Sequence, residues 1–210
     1  EKSDFRGKEA SYIFCFIVLG LLVLEPDIGM TFLIFSAWFS QIFIAGVNWV
    51  VLFFLLLIGI FSMIGCYFIF PHFMMRVDNF FHATESYQIK KSIASFVNGG
   101  LWGVGPGEGA IKKFLPDAHS DFIFSVIGEE FGLVVCAIIL LIYLFIIIRS
   151  FYLAINSENL FVLYSVVGIT VIFAMQTVIN IASSLNLMPT KGMTLPFISY
   201  GGSSYIAMSI

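Results

Sequence analysis

The chain has 210 residues, 60% of them hydrophobic and only 11% charged, with a net charge of -3 and a mean hydropathy of +1.01. A soluble domain carries about 25% charged residues, so a water-soluble globular protein is excluded, and without a basic tail or patch nucleic acid is not an expected partner. The apolar residues run in long blocks rather than the short alternating segments of a membrane barrel, which leaves an all-α bundle of membrane-spanning helices as the way to satisfy the backbone in lipid.

Residues 1–9 read as a polar, solvated leader. The apolar stretch 10–24 is short for a ~30 Å hydrocarbon core, so its helix must borrow flanking residues or stop near an interface. Pro26 ends it, and Asp27 either caps the next helix or serves a function of its own. Spans are expected over 28–46 and 49–70, joined by the turn Gly46-Val47-Asn48. A long loop over 71–120 follows, too polar to cross lipid and long enough to be a functional candidate. Within it, residues 87–96 fit an amphipathic helix lying at the membrane interface. Further helices are expected over 121–148, 160–182 and 195–210, about six in all within a single membrane domain. The chain starts on Glu1 and stops at Ile210 inside an apolar run too short to finish a span, as expected of part of a longer protein. Cys15, Cys66 and Cys136 each sit inside an apolar block at no metal or redox spacing. Charge fixes sidedness poorly, because a first helix starting in the cytoplasm puts most lysines of the long loop outside, against the positive-inside rule.

Residues 98–130, NGGLWGVGPGEGAIKKFLPDAHSDFIFSVIGEE, form a glycine-rich charged island in this apolar chain. A carboxylate at the membrane edge costs roughly 2.5 kcal/mol or more, so Asp121, Glu129 and Glu130 are candidates for function. At ~100° per residue, Asp121, Ser125, Gly128, Glu129 and Gly132 share a small polar helix face, which suits a cavity wall, whereas Glu130 points away and fits a salt bridge in the bundle. Asp121 reads equally as a helix-end carboxylate held by the macrodipole or as a reactive group. The run Gly105-Pro106-Gly107-Glu108-Gly109-Ala110 superficially fits a dinucleotide fingerprint but lacks the strand before it. Lys112 and Lys113 beside these glycines read either as an anion site, with backbone N–H groups, or as a headgroup-facing pair. His119 can orient Asp121 or be a loop residue, and the cluster Ser199 to Ser204 can be functional or simply let helices pack.

The segments Pro26-Asp27-Ile28-Gly29, Tyr87-Gln88, Asn98-Gly99-Gly100, Leu115-Pro116-Asp117-Ala118-His119-Ser120-Asp121-Phe122-Ile123-Phe124, Gly128-Glu129-Glu130-Phe131-Gly132, Asn180-Ile181 and Leu195-Pro196-Phe197-Ile198-Ser199-Tyr200-Gly201-Gly202-Ser203 resemble the SEDS (FtsW/RodA/SpoVE) family in its order, nearly end to end. The GVGPGEG run looks most like the alphaproteobacterial FtsW branch. Glu25, Ala83-Thr84-Glu85 and Lys191 depart from the family's pattern. The resemblance implies a ten-helix bacterial inner-membrane protein of the division septum, with 71–120 as its large extracytoplasmic loop. It implies polymerisation of lipid II into undecaprenyl-pyrophosphate-linked glycan, in company with a class B penicillin-binding protein and other divisome proteins, with membrane lipid around it. Asp121 matches the family's catalytic aspartate. Lys112, Lys113, His119, Glu129, Gln88 and Ser199 are then candidate substrate-binding residues, and Pro26, Asp27, Gly99, Gly100, Pro116, Pro196, Gly201 and Gly202 structural ones. No cofactor is evident, and a divalent cation such as Mg2+ is left open at the pyrophosphate. The alternatives are a lipid II flippase and a division scaffold.

Overall fold

A computed structural model describes residues 2–25, 27–81, 87–189 and 192–202, with only the backbone for residues 2–9. Pro26, Glu85, Lys191, Ser203 and the second half of the expected last helix lie outside the described residues. Those described form seven α-helices and a 3-10 turn, with no strand: α1 Lys2–Leu24, α2 Ile28–Ile44, α3 Trp49–Ile69, α4 Pro71–Phe81, α5 Tyr87–Gly99, the 3-10 turn Ile111–Phe114, α6 Ile123–Ile155 and α7 Leu160–Ser184. Three of these, α3, α6 and α7, are long and apolar enough to cross a membrane, and Ala10–Leu24 and Ile28–Ile44 are shorter apolar helices. Large apolar side chains stay exposed along the spans, such as Phe61 (67%) on α3 and Phe145 (68%) on α6, as faces turned to lipid require.

Several boundaries differ from those expected. Residues 2–9 are not a loop but the first turns of α1, since nothing but Gly7 opposes helix there and the short apolar stretch gains length from them. The loop 71–120 contains two helices. Pro71 starts α4, where its missing N–H costs nothing. The helix expected over 121–148 begins only at Ile123 and runs on to Ile155, because residues 149–155 hold no breaker. The backbone from Leu195 to Tyr200 forms turns rather than helix, with Phe197 at φ 62° and the Tyr143 hydroxyl donating to the Pro196 carbonyl at 2.6 Å.

The chain packs as two compact units, Glu1–Phe73 with Leu153–Ile172, and Met74–Tyr152 with Phe173–Ile210. In the first, Trp38 sits among Cys15, Ile42, Leu52 and Leu55, with the Tyr12 ring edge-on to it at 5.3 Å. Asp27 is the N-cap of α2, its Oδ1 accepting the Met30 N–H at 2.9 Å, so the capping reading of that residue is realised. Gln41 donates to the Tyr164 carbonyl at 3.1 Å.

The second unit is built on α5 packed against α6. The helix expected over 87–96 forms, and its buried face, Ile89, Ser92, Ser95, Phe96 and Gly99, packs on protein. Ser92 Oγ lies 2.6 Å from Ser125 Oγ and donates to the Ser184 carbonyl at 2.5 Å. A Cβ on Gly99 would overlap the Gly128 carbonyl, and one on Gly128 the Phe96 ring, so these glycines let the two helices touch at the backbone. The polar face expected to line a cavity is therefore covered by α5.

Beyond α5 the chain enters α6 itself. Gly132 has φ 80° and ψ 175°, breaking the helix. In an unbroken helix Leu133 and Val134 would donate to the carbonyls of Glu129 and Glu130. Here they donate to Gly100 O (3.0 Å) and Leu101 O (3.2 Å), while Val104 and Gly105 donate to Glu129 O and Glu130 O, both at 3.0 Å. Two helix bonds are thus exchanged for four with the loop, which satisfies backbone that lipid could not. Gly103, at φ 81°, allows this approach, since a Cβ there would overlap Glu130 O.

Candidate active site

Glu129 shows how the island folds back on itself. It is 0% exposed, and its carboxylate accepts from Asn98 Nδ2 (3.0 Å) and from the backbone N–H groups of Ile111 (2.9 Å) and Lys112 (3.1 Å). Lys112 Nζ pairs with Glu130 and donates to the Gly107 carbonyl at 3.2 Å. The backbone nest and the first lysine expected to hold an external anion are therefore engaged by the protein's own carboxylates. The salt bridge expected of Glu130 is present. Lys113, next in the same turn, is exposed. Lys91 joins this turn to α5, its ammonium lying 5.5 Å from the Tyr87 ring centroid and 5.3 Å from that of Phe114. Gln88 is half-buried on α5.

Asp121 sits between the turn that starts at Pro116 and the first residue of α6. Asp117 adopts φ 53°, and the N–H of Asp121 donates to the Asp117 carbonyl at 3.0 Å. Three consecutive carbonyls are then held from outside the turn. Tyr200 N donates to His119 O (2.9 Å), Ser199 Oγ to Ser120 O (2.6 Å) and Asn180 Nδ2 to Asp121 O (2.9 Å). Ser199 Oγ also accepts from Leu195 N at 2.6 Å, which explains why Pro196 and Phe197 turn rather than continue a helix. Ser199 is thus placed as a backbone strut. The segment Phe122, Leu115, Ala118 and Val126 forms a small core beneath the turn.

The Asp121 side chain is half-buried, and that burial raises its pKa above the usual carboxylate value, with the Asp117 charge adding and a hydrogen bond from Ser120 opposing. An open depression of about 550 Å³ nearby in sequence is lined by His119, Ile123, Phe197, Ile198, Ser199 and Tyr200. His119 thus faces this depression, which does not include Asp121 or Glu129 among its lining residues. Glu129, fully buried and bound by Asn98, Ile111 and Lys112, does not face that depression. The helical-wheel reasoning that paired it with Asp121 assumed helix at that aspartate, which precedes α6. A second depression of about 420 Å³ lies at the turn between α2 and α3 and holds no titratable side chain. Among the described residues no group of three or more His, Cys, Asp or Glu is placed to hold a metal ion. Gly201 and Gly202 lie at the edge of the described residues.

Sequence reading missed the struts. Asn180 was a motif residue without a role, although an amide inside an apolar helix is itself a signal of buried hydrogen bonding.

All-helical, apolar on its exposed faces and carrying a locked acidic turn at the mouth of a broken span, this is a multi-pass membrane protein with a polar site at a helix end. The chain belongs to the FtsW/RodA/SpoVE family, described as cell cycle proteins, which matches residues 2–210. It is 40% identical to the "Probable peptidoglycan glycosyltransferase FtsW" of Caulobacter vibrioides, over 97% of this chain and 53% of that protein. The protein of the same name from Coxiella burnetii is 38% identical, over 98% of this chain and 58% of its own. The chain spans about half the length of the curated relatives it matches. Among solved structures it is similar to a chain of a peptidoglycan synthase complex that coordinates polymerization and crosslinking, with TM-score 0.71 and 28% identity over 94% of this chain and 56% of that one. The rod shape determining protein RodA of Thermus thermophilus aligns with TM-score 0.63 and 28% identity, over 95% of this chain and 52% of that one.

Proposed function

We propose that this chain carries the catalytic aspartate of a peptidoglycan glycosyltransferase that polymerises lipid II at the division septum of the bacterial inner membrane, working with a class B penicillin-binding protein that crosslinks the strands. The observation that carries this reading is Asp121. Asn180 holds its own carbonyl and Ser199 and Tyr200 those of the two residues before it, while its half-buried carboxyl keeps a raised pKa. Glycan extension needs a base to take the proton of the acceptor sugar hydroxyl as its oxygen bonds to the anomeric carbon and the bond to undecaprenyl pyrophosphate breaks. A carboxylate with a raised pKa is a stronger base than an ordinary one and suits that transfer. The leaving pyrophosphate takes the electron pair, and Lys113, exposed in the turn that Glu129 anchors, is the cation offered to it. His119, lining the open depression, is placed to contact substrate.

The test is polymerisation of purified lipid II by the full-length protein with its crosslinking partner. Wild type yields polymer and Asp121→Asn yields only a small residual amount. Headgroup movement across vesicles without polymer would instead support a flippase, and neither activity a scaffold.

A further inference from the structure

Two residues outside the acidic turn bear directly on Asp121. Asn180 is 1% exposed, and its Nδ2 donates to Asp121 O at 2.9 Å and to Met193 O at 2.5 Å. Its Oδ1 is buried without a partner among the described residues. An orphaned amide oxygen is a cost, so the side chain is kept for its two donated bonds. Gly192, one residue before Met193, meets the carboxyl group itself. A Cβ there would stand 2.5 Å from Asp121 Oδ2 and 3.2 Å from Cγ, and its three nearest heavy atoms all belong to that carboxyl group. Gly192 is exposed, so packing elsewhere does not demand a glycine.

We infer that Asn180 and Gly192 are a positioning pair for Asp121. Asn180 ties the backbone of Asp121 to that of Met193. This brings bare backbone at Gly192 against the carboxylate and fixes its direction. Any side chain at residue 192 turns the carboxylate away from the acceptor hydroxyl. The inference rests on Asp121 being the base.

The experiment measures lipid II polymerisation and thermal unfolding for Gly192→Ala, Asn180→Asp and Asp121→Asn in the full-length protein with its crosslinking partner. Asp at residue 180 keeps the size of Asn and loses both donors. A displacement of about 1 Å at a reacting group costs on the order of 100-fold in rate, so Gly192→Ala lowers kcat by ~10- to 100-fold with KM and melting temperature unchanged. Asn180→Asp lowers kcat similarly, and should it not fold, Gly192→Ala carries the test alone. On the residual rate of Asp121→Asn, adding Gly192→Ala causes no further loss, because residues acting as one unit are not additive. A merely structural role would lower the melting temperature and multiply through that background. Wild-type kcat in Gly192→Ala beside a nearly inactive Asp121→Asn overturns the pair. Wild-type polymerisation by Asp121→Asn overturns the base assignment instead.

Discussion

Val104 donates its N–H to the carbonyl of Glu129 at 3.0 Å, occupying the acceptor that Leu133 would use in a continuous α6. The loop is therefore part of the helix, and its glycines are structural joints before they are anything else.

Gly132→Ala tests that joint. The residue holds φ 80°, and a Cβ would overlap the Leu101 carbonyl. Left-handed strain alone costs about 1–3 kcal/mol, and the overlap adds to it. The expected result is a clear fall in melting temperature in detergent, together with lost polymerisation. An unchanged melting temperature would show that α6 closes without the loop.

Glu129→Gln replaces a carboxylate that accepts three N–H donors by an amide with a single acceptor oxygen. Leaving buried donors unmatched costs about 1–3 kcal/mol. The turn Ile111–Phe114 then loosens, and limited trypsin digestion cuts faster at Lys112 and Lys113. Cleavage at the wild-type rate in a folded variant argues against Glu129 as the anchor.

Lys112 and Lys113 should separate. Lys112 pairs with Glu130, whose side chain is 12% exposed, so Lys112→Met strands a largely buried carboxylate and destabilises by ~3 kcal/mol, while adding Glu130→Gln recovers much of the loss. Lys113→Ala leaves the melting temperature within experimental error and weakens polymerisation. Equal thermal losses for the two lysines would remove the distinction.

The pH dependence follows from Asp121, whose carboxyl pKa is raised by burial and by Asp117. As the base it must be ionised, so the polymerisation rate rises with pH through this raised value and the acid limb lies above the ordinary carboxylate range. Stability moves the opposite way. Below the ordinary carboxylate range both folded and unfolded chains hold the proton and Asp121 contributes no difference. As pH rises the unfolded chain releases it first, so the folded state loses stability until the raised pKa is passed. Asp121→Asn therefore melts at or above the wild-type temperature at neutral pH, and the gap narrows on acidification. A variant that melts lower at neutral pH contradicts the raised pKa.

The spans were legible because apolar blocks between Pro26, Gly46 and Pro71 set helices almost by themselves. A salt bridge of Glu130 was also expected, though not that its partner would be Lys112 in the 3-10 turn of the loop, 18 residues away in sequence. The seat of α5 was not, because Ser92, Ser95 and Gly99 give a weak apolar face and only the facing Gly128 and Ser125 make that face a contact. The break at Gly132 was hidden because one glycine in an apolar run looks like a tolerated helix residue. Reading Asp121 as helical placed it beside Glu129, whereas the Asp117 turn sets it ahead of the helix.

The exchange of bonds at Gly132 bears on how the protein enters the bilayer. In hydrocarbon each unpaired backbone group costs several kcal/mol. With Gly132 in its observed conformation, the carbonyls of Glu129 and Glu130 and the amides of Leu133 and Val134 depend on residues 100–105 for their bonds. The loop is synthesised before α6, so its partner groups are at hand as the helix leaves the ribosome. The loop and the broken helix can therefore pair as soon as α6 is made, without waiting for later segments of the chain.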